Sequence, residues 1–68
     1  MHIEVELVPA RKTQRIELGE GTTVADLLRR LGLAVDAHVA VRGEAPLPED
    51  EPLLDGDRIT VIAVASGG

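Results

Sequence analysis

The sequence predicts an α+β domain in which one mixed sheet of four to five strands carries a single helix packed across one face. Three observations lead there. The apolar residues near the N-terminus alternate with a period of two, as in half-buried strands. Between Thr23 and Gly32 the period becomes helical, with matching start and stop signals. The longest apolar run, Arg58 to Ala65, is apolar on both of its faces, which suits only the middle of a sheet.

The elements follow in order. In His2-Ile3-Glu4-Val5-Glu6-Leu7-Val8 the apolar Ile3, Val5 and Leu7 alternate with His2, Glu4 and Glu6. Pro9 removes a ladder donor, and Ala10 to Thr13 is polar enough to turn. Gln14-Arg15-Ile16-Glu17-Leu18 repeats the alternation, so the two runs predict a β-hairpin. Gly19-Glu20-Gly21 breaks the strand. Thr23-Val24-Ala25-Asp26 has the form of a capping box, with Asp26 in place of the commoner Glu. Val24, Leu27, Leu28 and Leu31 then form one apolar stripe, Arg29 and Arg30 suit the last turn, and Gly32 is the expected terminator.

His38-Val39-Ala40-Val41-Arg42 reads as a third strand with a turn at Arg42-Gly43-Glu44. Ala45 to Pro52 holds three prolines and three acids, which predicts a surface loop with at most a short edge strand at Ala45-Pro46-Leu47. Leu53 and Leu54 are expected to plug that loop into the core. Asp55-Gly56-Asp57 forms a tight turn that launches the final strand. The first and last strands should lie side by side and parallel, joined by a crossover that includes the helix. Residues 1–65 then make one domain, and Ser66-Gly67-Gly68 a flexible tail.

Sixty-eight residues bound what such a domain can do. A chain this short buries only about 60% of its unfolded surface. With no cysteine, neither a disulfide nor a thiolate metal site can staple it. The core must be aliphatic, because Phe, Tyr and Trp are absent. Their absence also removes the stacking surfaces used to bind single-stranded nucleic acid. Twelve acids against seven bases give a net charge of −5. That disfavours direct binding to nucleic acid or to anionic membranes, and favours a basic partner over an acidic one. No stretch approaches the roughly 20 apolar residues of a membrane span, and Met1-His2-Ile3-Glu4 does not read as a signal peptide. The expected compartment is the cytoplasm.

Side-chain catalysis finds little support. His2 and His38 belong to no metal-ligand spacing and read as ordinary surface residues. Glu49-Asp50-Glu51 lacks the spacing of a calcium loop. Ser66 has no recognisable base, and no lysine follows Gly19, Gly21 or Gly32 to make a phosphate loop. No catalytic residue, metal or bound cofactor is therefore expected. The C-terminus stands apart. A terminal glycine pair arises by chance in about one chain in two hundred. Two residues without Cβ atoms can thread a channel too narrow for side chains and present an unobstructed carboxylate. A loose end or a cloning remnant is the competing account.

The tail and the element order together resemble the β-grasp, ubiquitin-like sulfur carriers: the ThiS and MoaD kinds, the TtuB-type carriers of thermophilic tRNA thiolation, and the archaeal ubiquitin-like small modifiers. The resemblance covers the whole chain. It rests on the N-terminal hairpin, Thr23-Val24-Ala25-Asp26-Leu27-Leu28, Leu31-Gly32-Leu33, Val39-Ala40-Val41-Arg42-Gly43, Leu54-Asp55-Gly56-Asp57-Arg58 and the terminal Gly67-Gly68.

The resemblance implies that an E1-like adenylating enzyme of the ThiF or MoeB kind uses ATP to activate Gly68. A sulfur donor, such as a cysteine desulfurase or rhodanese-like protein, then leaves a thiocarboxylate for a downstream sulfurtransferase or synthase. Gly67 and Ser66 supply reach. tRNA thiolation is the expected destination, and conjugation to protein lysines is an allied outcome. Lys12, the only lysine, would be the internal acceptor. A thiamine or molybdopterin pathway carrier, or an interaction module with no activation chemistry, are the alternatives. The aromatic-rich start and proline-containing approach associated with MoaD are missing. The activating enzyme is expected to dock on an exposed apolar patch of Ala40, Ile62 and Val64, unless the loop from Ala45 to Leu54 folds over it.

Overall fold

Strand β1 (His2–Val8) and strand β2 (Lys12–Glu17) form the predicted hairpin, with Ile3 opposite Ile16 and Leu7 opposite Lys12. Ladder pairing reaches back to Lys12, two residues before the alternating pattern starts. The protein is represented by a computed structural model that describes residues 1–64. The expected tail, Ser66 to Gly68, and the strand's expected end at Ala65 lie outside the described residues.

Helix α1 (Val24–Arg30) begins with the predicted box: the Asp26 N–H donates to the Thr23 hydroxyl, and the Thr23 N–H donates to the Asp26 carboxylate, both at 3.2 Å. Those two donors are among the four that a helix start leaves without intrahelical partners. Hydrogen bonding to Thr23, first through its backbone and then its side chain, and the charge of Arg29 hold the Asp26 carboxyl below the ordinary aspartate value; slight burial opposes them. At the far end Gly32 takes φ 75°. Its N–H reaches the Arg29 carbonyl at 3.0 Å and that of Leu33 the Leu28 carbonyl at 2.9 Å, a Schellman closure.

A short 3-10 turn, Val35–Ala37, which the sequence pattern did not announce, leads into β3 (His38–Arg42). The expected edge strand is present as β4 (Ala45–Leu47), and β5 (Arg58–Ala63) closes the sheet. Strand order is β2-β1-β5-β3-β4. β5 is central: it runs parallel to β1 and antiparallel to β3. The doubly apolar strand is paired on both sides, as its composition requires.

One face of the sheet and the helix share a core of Ile3, Val5, Leu18, Val24, Leu27, Leu28, Ala40, Leu53, Ile59 and Val61. Val5 and Leu27 have no exposed surface. Each such aliphatic side chain contributes on the order of 1.5–3 kcal/mol when fully buried. Leu53 plugs the loop as predicted, but Leu54 is 59% exposed and does not. No helix among the described residues is long and apolar enough to cross a membrane.

Candidate functional site

Register decides which apolar residues face the helix and which face outward. Directly paired residues share a face. Val61 pairs with Leu7 and Ala40 on the core side; Ile62 pairs with Val8 and Val39 on the other. Val8, Ile62 and Val39 therefore form a row across three adjacent strands, with Val41 beside it opposite Thr60 and Pro46. All four are partly exposed, and none of them packs against the core cluster. Val64 is 41% exposed, and its N–H donates to the Ala37 carbonyl at 2.9 Å. The last described residue is thus fastened beside the 3-10 turn.

The expected patch needs one correction. Ala40 is buried to 1% exposure and belongs to the core. Ala40 and Ile62 cannot share a face, because Ala40 pairs with Val61, one residue before Ile62. Val39 takes its place. The loop that could have covered the patch goes elsewhere. Its Glu49 and Glu51 carbonyls accept from Ala25 and Val24 at 2.8 and 3.0 Å, and its Leu53 N–H donates to Thr22 at 2.8 Å. These bonds tie it to the helix start, on the covered side. Among the described residues this loop leaves the open face uncovered.

The two histidines stand at opposite ends of the sheet, His2 opposite Glu17 and His38 opposite Ala63. A ring nitrogen of His38, Nδ1, lies 2.8 Å from the Ala34 carbonyl. Among the described residues no group of three His, Asp or Glu side chains stands close enough to hold a metal ion.

The sequence reading missed one polar cluster. Arg42 grips Asp57 with two hydrogen bonds, Nε to Oδ1 at 3.1 Å and Nη2 to Oδ2 at 2.8 Å, and the Leu54 N–H also reaches Oδ2 at 2.8 Å. Burial pushes the Asp57 carboxyl up, but the Arg42 hydrogen bonds, the Leu54 N–H and the Arg42 charge together outweigh it. The carboxyl therefore lies below the ordinary aspartate value. The hydrogen bond to Asp57 raises Arg42 above its own. The Asp-Gly-Asp turn was the available signal for this cluster; its partner fifteen residues earlier was not. The contact locks the turn before β5 to the end of β3. It has no access to the tail end of the sheet.

The model of the small archaeal modifier protein 2 family matches residues 1–65. This chain belongs to that family. It is a ubiquitin-like small modifier, a kind of protein that is not itself an enzyme and that works with E1-like enzymes as its general kind of partner. Solved structures agree on the fold. The ubiquitin of Caldiarchaeum subterraneum is 20% identical with a TM-score of 0.74, covering 100% of this chain and 98% of that one. SAMP1 from Haloferax volcanii is 21% identical with a TM-score of 0.73, covering all of both chains. The N-terminal ubiquitin-like domain of the 4931431F19Rik protein is 18% identical with a TM-score of 0.75, covering 100% of this chain and 78% of that one. The β-grasp fold expected from the element order is the fold that this modifier has.

Proposed function

We propose that this modifier is a cytoplasmic sulfur carrier whose Gly68 carboxylate is adenylated by an E1-like enzyme and converted to a thiocarboxylate, with tRNA thiolation as the destination. A carboxylate is a poor electrophile until it carries a good leaving group. Attack of a Gly68 oxygen on the α-phosphorus of ATP releases pyrophosphate and forms the acyl adenylate. A persulfide sulfur of the donor protein then attacks the acyl carbon and displaces AMP. Cleavage of the resulting S–S bond by a thiol leaves the thiocarboxylate and a disulfide. The carrier supplies no side chain to these steps, and ATP is bound by the activating partner.

One observation carries the reading. β5 is anchored in the core through Ile59 and Val61 and bordered on its open side by Val8 and Val39, and the residues that follow it in sequence end in Ser66-Gly67-Gly68. A rigid strand flanked by an uncovered apolar row suits a body that is gripped while its terminus is worked on. The family's character as modifiers favours a second use of the same activated acyl group, attack by a lysine amine to form an isopeptide bond. Lys12, exposed at the start of β2, is the acceptor this chain itself offers.

The test is intact mass after incubation with an E1-like enzyme, ATP and a persulfide donor. Exchange of one oxygen for sulfur at Gly68 is the expected result. A mass unchanged under conditions in which the enzyme adenylates another carrier would overturn the proposal. For conjugation, Lys12→Arg is expected to abolish chains of this modifier while leaving single conjugates to other proteins.

A further inference from the structure

Sheet register sorts the charged side chains into two ends. Because β1 and β5 are parallel and β3 opposes them, the hairpin turn after Val8, the start of β3 and the end of β5 share one end. The helix finishes there too: Gly32 to Ala34 joins it to the 3-10 turn, whose Ala37 carbonyl holds the Val64 N–H. Four of the seven basic residues, Arg11, Lys12, Arg29 and Arg30, lie at this end, and all are exposed. The acids nearest them are Asp36, in the 3-10 turn, and Glu6, opposite Thr13 and one rung from Lys12. Glu17, Glu20, Glu44, Glu49, Asp50 and Asp55 gather at the other end.

The remaining cations are answered locally. Arg42 pairs with Asp57 and Glu51, Arg58 approaches Glu4 at 4.0 Å, and Arg15 stands opposite Glu4 in the ladder. Arg29 approaches Asp26 at 3.5 Å with both side chains more than half exposed, a pair that neutralises little. Among the described residues Arg11, Lys12, Arg15 and Arg30 make no ion pair, and all of these but Arg15 lie at the end where β5 finishes.

We infer that the end of the sheet where β5 finishes is a basic docking pole for an acidic surface around the active-site mouth of the activating enzyme. The inference rests on the proposed activation at Gly68. The two ends are separated by the length of β1, roughly 20 Å at strand rise, or about two Debye lengths at physiological ionic strength. A partner at this pole therefore feels four cations against Asp36 and Glu6, a local positive excess, and little of the net charge of −5. Net charge alone favours a basic partner; the distribution of charge reverses that preference. An acidic protein fits better than a nucleic acid, because the pole offers no aromatic ring for base stacking.

The experiment measures adenylation of the intact chain by a purified E1-like enzyme, as ATP–pyrophosphate exchange, across a range of salt. Arg11→Glu with Arg30→Glu is expected to raise KM on the order of 10-fold, the lower bound of electrostatic steering. It should leave kcat unchanged and flatten or reverse the salt dependence. Adding Glu49→Lys and Asp50→Lys restores the net charge at the remote end and should not restore KM. Recovery in that balanced variant, or a KM indifferent to the pole substitutions, overturns the inference while the wild-type reaction still supports activation. Retardation of tRNA by the wild type that the pole substitutions abolish, with KM unaltered, also overturns it and gives the pole to nucleic acid. A wild-type chain that is not adenylated at all defeats the activation reading and this inference together.

Discussion

Asp57 shows how a single carboxylate can fasten two distant segments. Its side chain is 10% exposed and that of Arg42 30%, so water screens the pair only partly. Replacing Asp57 with Asn removes the anion and leaves the guanidinium facing a neutral group. Hydrogen bonds to charged groups are worth about 1.5–3 kcal/mol, so D57N should lower the unfolding free energy by an amount in that range, read as a lower urea midpoint at unchanged slope. The pH dependence has a definite sign. The folded carboxyl lies below its ordinary value of 3.8. Its stabilisation is therefore fully present above that value and is lost as pH falls through the folded value. Wild type and D57N should differ at neutral pH and converge in acid. Denaturant titrations at several pH values decide the matter, and a difference that persists or grows in acid contradicts the assignment.

At the scale of elements, what was legible in the sequence was local. Thr23 and Asp26 sit three residues apart, and the bonds that they exchange are specified by that spacing. Ile3, Val5 and Leu7 declare their face by alternation. Val39-Ala40-Val41 does not, because all three are apolar and only pairing with β5 reveals which side each takes. That ambiguity put Ala40 in the wrong place and hid Val39. Leu54 misled for a similar reason: a loop has no period to say which of two adjacent leucines points inward, and here only Leu53 does. The 3-10 turn at Val35–Ala37 has no apolar period of its own, so nothing announced it.

The corrected patch makes a sharper prediction for β5. Ile62 lies between Val8 and Val39 and is partly exposed, so a carboxylate there can remain solvated. Ile62→Glu should leave the domain folded by circular dichroism and abolish adenylation. Ala40→Leu should act differently, because Ala40 is enclosed and extra methylenes in a packed core cost typically 1–3 kcal/mol. Its effect should fall on the melting temperature. Normal activation of the Ile62 variant would remove this face from the docking surface.

For the whole molecule, one aliphatic core supports everything. With no cysteine or aromatic residue, stability at the usual 0.05–0.15 kcal/mol per residue amounts to roughly 3–10 kcal/mol. Leu27, fully enclosed between helix and sheet, is the most economical place to spoil it: Leu→Ala in such a site costs about 2–5 kcal/mol. L27A should therefore melt well below the wild type while its C-terminal sequence is unaltered. If the partner grips the folded body, L27A should be adenylated normally below its own midpoint and fail above it, and activity should return on cooling where unfolding is reversible. A residue appended after Gly68 should instead abolish activation at every temperature, because it removes the reacting carboxylate and leaves the body intact. Parallel temperature series on the two variants, scored by pyrophosphate exchange and circular dichroism, separate the two roles. Activation of L27A that continues above its midpoint would mean that the tail alone is recognised, and that the sheet's open face and basic pole serve some other purpose.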